Sequence, residues 1–335
     1  MVTVSDSVVH RMSQVAPHEQ VPHSPSIFPE TAMYRAGRND TSTAPLRGGQ
    51  ASTRSVAQII RTGLAIVAAL ALGFALNVAV GSKVEHRAAQ TREFNILRTE
   101  LTATTSSLAP TGPRLANGEP LPLGTPMAVL HIPSIGVNEV VDEGTSGSVL
   151  MDGPGHLRSS VFPGGIGTSE IFGRSSTYGG PFAQIAQLHK GARITVTTQD
   201  GTFAFAVIDV RRAGARIPPL GAGQARLTLA TSIEASFVAT GVVWVDAGLV
   251  KGTAFSPVAP VVKTVPADEQ PLGMNLGALW GAGAWLAVLA LVLAGATWTW
   301  RHRGHAQAWI TFAGPIAVIG YFLADQVGAL MPNLT

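Results

Sequence analysis

Apolar positions along the chain fall into two regimes. Thr62 to Val80 is a nearly unbroken apolar run, and Leu272 to Trp300 and Ala308 to Ala324 are two more, each about the length a helix needs to cross a bilayer. Between them the pattern is finer. Ala128 to Ile132, Val137 to Glu143, Glu170 to Phe172, Arg193 to Thr198, Phe203 to Arg211, Arg226 to Thr231 and Gly241 to Val250 are short, rich in β-formers and bounded by Gly, Pro, Asp or Ser, which predicts strands. In Arg226-Leu-Thr-Leu-Ala-Thr-Ser232 the alternation is explicit. Leu227, Leu229 and Thr231 face one side and Thr228, Ala230 and Ser232 the other, the pattern of a half-buried strand. Asp200-Gly201, between two alternating runs, is a hairpin signal. Pro181 to Leu188 is the helical stretch of this region, opening on a proline suited to a first turn. Short strands with one or two short helices predict a mainly β fold, a closed or nearly closed barrel, because closure removes exposed edges.

These segments divide the chain. Residues 1–54 are rich in Ser, Thr, Pro and His, have no sustained period, and read as a disordered tail. Residues 55–81 are a first transmembrane helix. Residues 82–125 hold a charged stretch with Phe94, Leu97 and Leu101 at helical spacing, read as a solvated stalk or a short amphipathic juxtamembrane helix, and then a Pro/Gly-rich linker. The barrel occupies 126–250, a second Pro-rich linker 251–271, and two further transmembrane helices 272–300 and 308–331, joined by a loop at 301–307. Arg54, Arg61, Arg301 and Arg303 flank the same side of these three spans, which places the N-terminus in the cytoplasm and the barrel outside a plasma membrane. Gly273, Gly277 and Gly281 recur at every fourth residue, a spacing that lets helices approach closely and would suit a helix-mediated oligomer.

Composition agrees with the membrane reading, since only 13% of the residues are charged. The 335 residues include no cysteine, which excludes disulfides, thiolate metal sites and a cysteine nucleophile. A net charge of +3 with basic residues spread along the chain gives no nucleic-acid footprint. His10, His18 and His23 lack ligand spacing, and no Walker loop, GxGxxG fingerprint, GxSxG elbow or metal-spaced cluster occurs. No metal and no cofactor are expected.

The stretches that carry candidate chemistry are Leu130-His-Ile-Pro-Ser-Ile-Gly136, Gly153-Pro-Gly-His156, Gly173-Arg-Ser-Ser-Thr-Tyr-Gly-Gly-Pro-Phe182 and Thr228-Leu-Ala-Thr-Ser232. In combination, over roughly Met127 to Leu249, they resemble the sortases, membrane-anchored cysteine transpeptidases of Gram-positive cell surfaces. The resemblance implies a β-barrel that presents a groove to a cell-surface peptide or sorting-signal protein. It also implies a catalytic histidine where Arg174 stands, a nucleophilic cysteine where Ser232 stands, and an arginine near Thr240. All three are replaced. The candidate groove is therefore Arg174, Ser175, Tyr178, Thr231 and Ser232, with His156 from the Gly-Pro-Gly-His turn.

These replacements govern the chemistry. A serine hydroxyl needs an adjacent general base to become a useful nucleophile, and a guanidinium stays protonated in proteins. The reading that follows is a degenerate sortase, a pseudoenzyme that binds a peptide, a cell-wall fragment or a partner protein without cleaving it. Two alternatives stand beside it: a transpeptidase or hydrolase of altered mechanism using Ser232, and a structural membrane protein whose barrel is a spacer. His131 on the opening strand and His189 in Leu188-His-Lys-Gly191 do not stand at the catalytic position that the resemblance implies, and rank as an ordinary strand residue and a solvated loop residue.

Overall fold

The computed structural model describes residues 61, 64, 68–75, 77–102, 114–115, 119–235, 238–256 and 262–335. The tail 1–54 lies outside the described residues, as does much of 55–81, where Asn77–Gly81 forms a π-helical turn. Helix α1 (Ser82–Thr102) continues from it. Strands β1 (Pro126–Ile132) and β2 (Val137–Glu143) come next, then the one-turn helix α2 (Val149–Asp152), β3 (Gly155–His156), β4 (Gly167–Phe172), β5 (Arg193–Thr198), β6 (Gly201–Arg212), β7 (Ala225–Ala235) and β8 (Val238–Lys251). Helices α3 (Ala278–Arg303) and α4 (His305–Leu330) close the chain.

The eight strands form a closed barrel in the order β1-β2-β3-β4-β7-β8-β6-β5, with β5 returning to β1. Leu130, Ile132, Ile171, Ile194, Val196, Phe205, Leu227, Leu229 and Val245 fill it. Each expected strand is present, and β7 and β8 extend beyond the alternating runs that announced them. The additional strand, β3, comes from the Gly-Pro-Gly-His turn. Its two residues pair with β2 on one side and β4 on the other. No periodicity can show in two residues, but the glycine has a steric reason: a Cβ on Gly155 would lie 2.0 Å from the Gly144 carbonyl oxygen.

The helix expected over Pro181 to Leu188 is a single 3-10 turn, Ile185–Gln187. Its hydrogen bonds run from Ile185 to Phe182, Gln187 to Gln184 and Leu188 to Ile185, all three residues back. The buried side chains Phe182, Ile185 and Leu188 share that spacing, which a turn of three residues aligns better than an α-helix.

Helix α1 is not a solvated stalk. It lies on the barrel through a face that apolar periodicity does not reveal, with His86, Ala89, Glu93 and Leu97 buried and Phe94 exposed. Gln90 spans the edge of β2, accepting from the Val140 N–H at 2.6 Å and donating to the Val140 and Asp152 carbonyls. His86 lies 3.1 Å from Glu139. Much of the dock is polar, so of the apolar spacing Phe94, Leu97 and Leu101 only Leu97 is buried in it, and Phe94 points away.

Among the described residues two helices, not three, are long and apolar enough to cross a membrane, α3 and α4. They run antiparallel about the single residue Gly304, whose φ of 97° ends α3 and caps α4, so the expected loop at 301–307 shrinks to one residue. Trp285 and Phe322 stack between them at 4.9 Å. Most of their apolar surface faces outward, as in Trp280, Leu291 and Ile310.

The expected oligomer face is also corrected. Gly273 and Gly277 precede α3, and a Cβ on Gly273 would strike the Ala267 carbonyl. A Cβ on Gly281 would meet the Gln326 side chain of α4 at 2.3 Å, so this close approach is used within the hairpin.

Candidate functional site

Two chain reversals bring the sequence motifs together. Strands β4 and β7 are parallel and in register from Gly167 with Ala225 to Phe172 with Ala230. The loop after β4 therefore leaves beside the end of β7. The Gly173 N–H donates to the Ala230 carbonyl, and Thr231 Oγ1 donates to the Gly173 carbonyl at 2.7 Å. Arg174-Ser175 and Thr231-Ser232 thus share one corner of the barrel, although 57 residues separate the two serines.

Arg174 is fully buried. Its guanidinium donates to the Leu150 carbonyl at 3.0 Å, the Gly147 carbonyl at 2.9 Å, Thr177 Oγ1 at 3.1 Å and the Thr335 carbonyl at 3.1 Å. The Tyr178 ring lies 4.9 Å from the guanidinium carbon, in cation–π range. Tyr178 adopts the left-handed region, with φ 47°, and its N–H donates to Ser82 Oγ at the start of α1. Burial pushes its phenol pKa upward, so the hydroxyl stays neutral.

Ser232 is 5% exposed. Its Oγ lies 2.7 Å from Ser175 Oγ and donates to the Leu334 carbonyl at 2.8 Å. The same carbonyl accepts from the Ser175 N–H at 3.0 Å. Across the β7–β8 pair Val242 stands opposite Ser232, while Thr240 is exposed and donates to the Ile233 carbonyl. An apolar side chain thus faces Ser232 from the following strand.

His156 goes elsewhere. Its ring is fully buried, 2.9 Å from Glu143, 3.0 Å from the Val161 carbonyl and 3.1 Å from Ser160 Oγ. Burial alone would lower its pKa, but the Glu143 carboxylate and these hydrogen bonds outweigh it and raise the pKa. Of the six expected groove residues the structure gathers Arg174, Ser175, Tyr178, Thr231 and Ser232, whereas His156 ties β3 to β2 and to the loop that follows it.

The residues that sequence reasoning missed come from the far end of the chain. Asn333, Leu334 and Thr335 are buried against this corner. Leu334 enters a small apolar cluster with Leu150, Phe172, Ala230 and Val242, separate from the barrel core. This covers the second face of β7 at Ala230 and Ser232, while Thr228 on the same face is buried against Asp246, so the strand is buried on both sides rather than half-buried. Only Pro332, just past a helix end, hints that the chain turns here, and it opens a turn that the Thr335 N–H closes on its carbonyl at 3.1 Å.

Residues 130–236 match the family model of the sortase domain. That match lies within the barrel and includes both Arg174 and Ser232. Among solved structures, the chain is similar to a Clostridium perfringens sortase D5 transpeptidase at 18% identity, covering 49% of this chain and 99% of that one with a TM-score of 0.40. Sortase E1 from Streptomyces coelicolor, solved with a tripeptide in the active site, is 24% identical over 38% of this chain and 90% of its own, with a TM-score of 0.35. Sortase C of Clostridium perfringens, with the C-terminal cell wall sorting motif, is 18% identical over 49% and 88%, with a TM-score of 0.37. No curated protein matches the sequence. The region outside the barrel, from α3 onward, lies beyond the sortase-domain match.

Proposed function

We propose that this sortase-like domain is a pseudo-sortase, a membrane-anchored barrel that binds a peptide segment at the Arg174–Ser232 corner without cleaving it. The observation that carries the reading is the setting of Arg174. A buried guanidinium whose donors point at three carbonyls and a hydroxyl cannot take a proton from Ser232. The Ser232 proton is directed at a carbonyl oxygen rather than at a base.

A second reading, Ser232 as a nucleophile, has one feature in its favour: a peptide carbonyl already lies in its reach with the Ser175 N–H on the same oxygen. The hydroxyl, however, meets the oxygen rather than the carbon of that carbonyl, and activation by an oriented base is what serine chemistry requires. The test is incubation of the full chain in detergent micelles with a serine-directed fluorophosphonate and with sorting-signal peptides, followed by mass spectrometry. No adduct and no cleaved peptide are expected. Ser232→Cys alone is expected to give no transpeptidation, because residues that act as a unit fail together. An adduct on Ser232, or turnover abolished by Ser232→Ala, would establish the enzyme instead.

The anchor belongs to the same proposal. The start of α3 and the end of α4 both lie at the barrel, while Arg301, His302 and Arg303 gather at the opposite turn. At about 1.5 Å rise per residue, each helix is long enough to span the hydrocarbon core. An arginine-rich turn belongs on the cytoplasmic side, which leaves the barrel outside. The chain has no cysteine of its own, so Lys190→Cys and Gly304→Cys are clean probes. In intact cells an impermeant maleimide is expected to label Lys190→Cys and spare Gly304→Cys, and the reverse result would invert the orientation.

A further inference from the structure

We propose that residues 331–335 are a ligand held in cis: the groove takes a peptide of Pro-Asn-Leu-Thr type folded into a turn, and the chain's own segment fills it until a peptide of that type displaces it. This rests on the peptide-binding reading and names the ligand class and regulation of the same site.

Two features of the segment are those of recognition. It leaves α4 at Met331 with φ −66° and ψ 151° and then closes a turn, the Thr335 N–H donating to the Pro332 carbonyl at 3.1 Å and its Oγ1 to the same carbonyl at 2.7 Å. Its backbone is gripped at successive residues. The Asn333 N–H donates to the Gly273 carbonyl, the Leu334 carbonyl accepts from Ser175 and Ser232, and the Thr335 carbonyl accepts from Arg174 and Thr177.

Its side chains are selected. The Asn333 amide donates among the carbonyls of Thr145 at 2.8 Å, Gln270 at 2.9 Å and Asp268 at 3.3 Å. A carboxylate there would turn lone pairs and a negative charge toward three acceptors, so the position discriminates Asn from Asp by unmet donors and repulsion. Leu334 fills the pocket of Leu150, Phe172, Ala230 and Val242, rimmed by Leu157, Trp244 and Leu272. The pocket is apolar and closed to a charged or large polar side chain.

A third feature makes the site a gate. The segment is joined to α4, and Gly328 near the end of that helix abuts Tyr178, which lies under Arg174. Tethering gives the cis segment an effective concentration of about millimolar, so a free peptide of equal intrinsic affinity binds only after displacing it. Loosening α4 would open the groove.

Two measurements on the full chain in micelles test this. The probe is a fluorescein-labelled Met-Pro-Asn-Leu-Thr peptide, with a Met-Pro-Asp-Leu-Thr control. Leu334→Asp sets a charge in the apolar pocket and is expected to release the segment, so that it binds the probe at least about tenfold tighter than the wild type does, with no binding of the control. Independently, a maleimide is expected to label Leu334→Cys at least about tenfold more slowly than Gly304→Cys, and excess unlabelled peptide should speed the reaction. Equal labelling of the two cysteines would overturn the cis ligand whatever the peptides do. Equal probe affinity for Leu334→Asp and wild type would overturn it while leaving a peptide-binding groove. Binding of other peptides but not this probe by Leu334→Asp would overturn the ligand class. Failure of Leu334→Asp to bind any peptide, with Leu334→Cys still protected, would overturn the peptide-binding reading itself and leave the segment as a structural plug.

Discussion

Arg174→Ala is expected to destabilise the protein by about 4 kcal/mol, near the upper end for a single substitution. The guanidinium satisfies the Leu150, Gly147 and Thr335 carbonyls and the Thr177 hydroxyl in a place closed to water. Each buried acceptor left without a donor costs about 1 to 3 kcal/mol, and truncation to alanine adds a cavity. Against this, removing a buried cation relieves its desolvation, which keeps the total below the sum of the parts. Arg174→Lys is expected to recover less than half of the loss. A lysine ammonium is a compact point charge and cannot reproduce a planar fork aimed at separate carbonyls. Denaturant unfolding in micelles measures both. A loss under about 1 kcal/mol for Arg174→Ala, the range of an exposed side chain, would show that the buried arginine does not organise this corner.

Raising the pH from 5 to 9 is expected to loosen α1 from the barrel and lower the melting temperature. Glu93 of α1 and Asp142 of β2 share a hydrogen bond at the dock, with Asp152, Arg92 and His86 nearby. Burial, and then the neighbouring carboxylates, pushes Asp142 up to about 9 and Glu93 up to about 7, while Arg92 and His86 pull Glu93 partly back. In the undocked chain both titrate near ordinary carboxylate values. The docked state therefore holds protons that the undocked state releases, so its advantage is full below about pH 4 and is lost as the pH rises through 7 and toward 9. His156 adds a change of the same sign, since its raised pKa gives stability that is present below its ordinary value and lost as the pH rises through its folded one. Asp142→Asn keeps the shape and the donor and removes the charge. It should flatten the profile and raise the melting temperature at pH 9, leaving a smaller slope from Glu93, which stays buried beside Asp152, and from His156. An unchanged profile in Asp142→Asn would place the pH dependence elsewhere.

Much of the barrel was legible in the sequence because period two survives in strands that bury one face in a shared core. β2 and β5 have the bounds that alternation and turn residues predict. The meeting of the Arg174-Ser175 loop with the end of β7, where Ser175 touches Ser232, was legible by a different route, the resemblance of two distant motifs to one family, and the parallel register of β4 with β7 gives it a physical basis. His156 drew attention for the same reason. Its partner Glu143 closes β2, and nothing local marks a histidine as belonging to a buried acid pair rather than to a groove.

By itself, then, the sequence determined the elements whose chemistry is periodic or local. These are the strands, the two apolar helices α3 and α4, and the absence of a thiol. Only the tertiary structure decided what depends on pairing across long separations. It placed α1 on the barrel through Gln90, Glu93 and His86, whose polar partners leave no hydrophobic stripe to read. It turned Gly281 inward to Gln326 instead of toward another molecule. It also set Leu334 and Thr335 against Ser232 and Arg174, positions 102 and 161 residues apart in the chain. A buried arginine and an exposed one have the same neighbours in sequence. What separates them is which carbonyls the rest of the chain brings within about 3 Å, and that is fixed only when the fold closes.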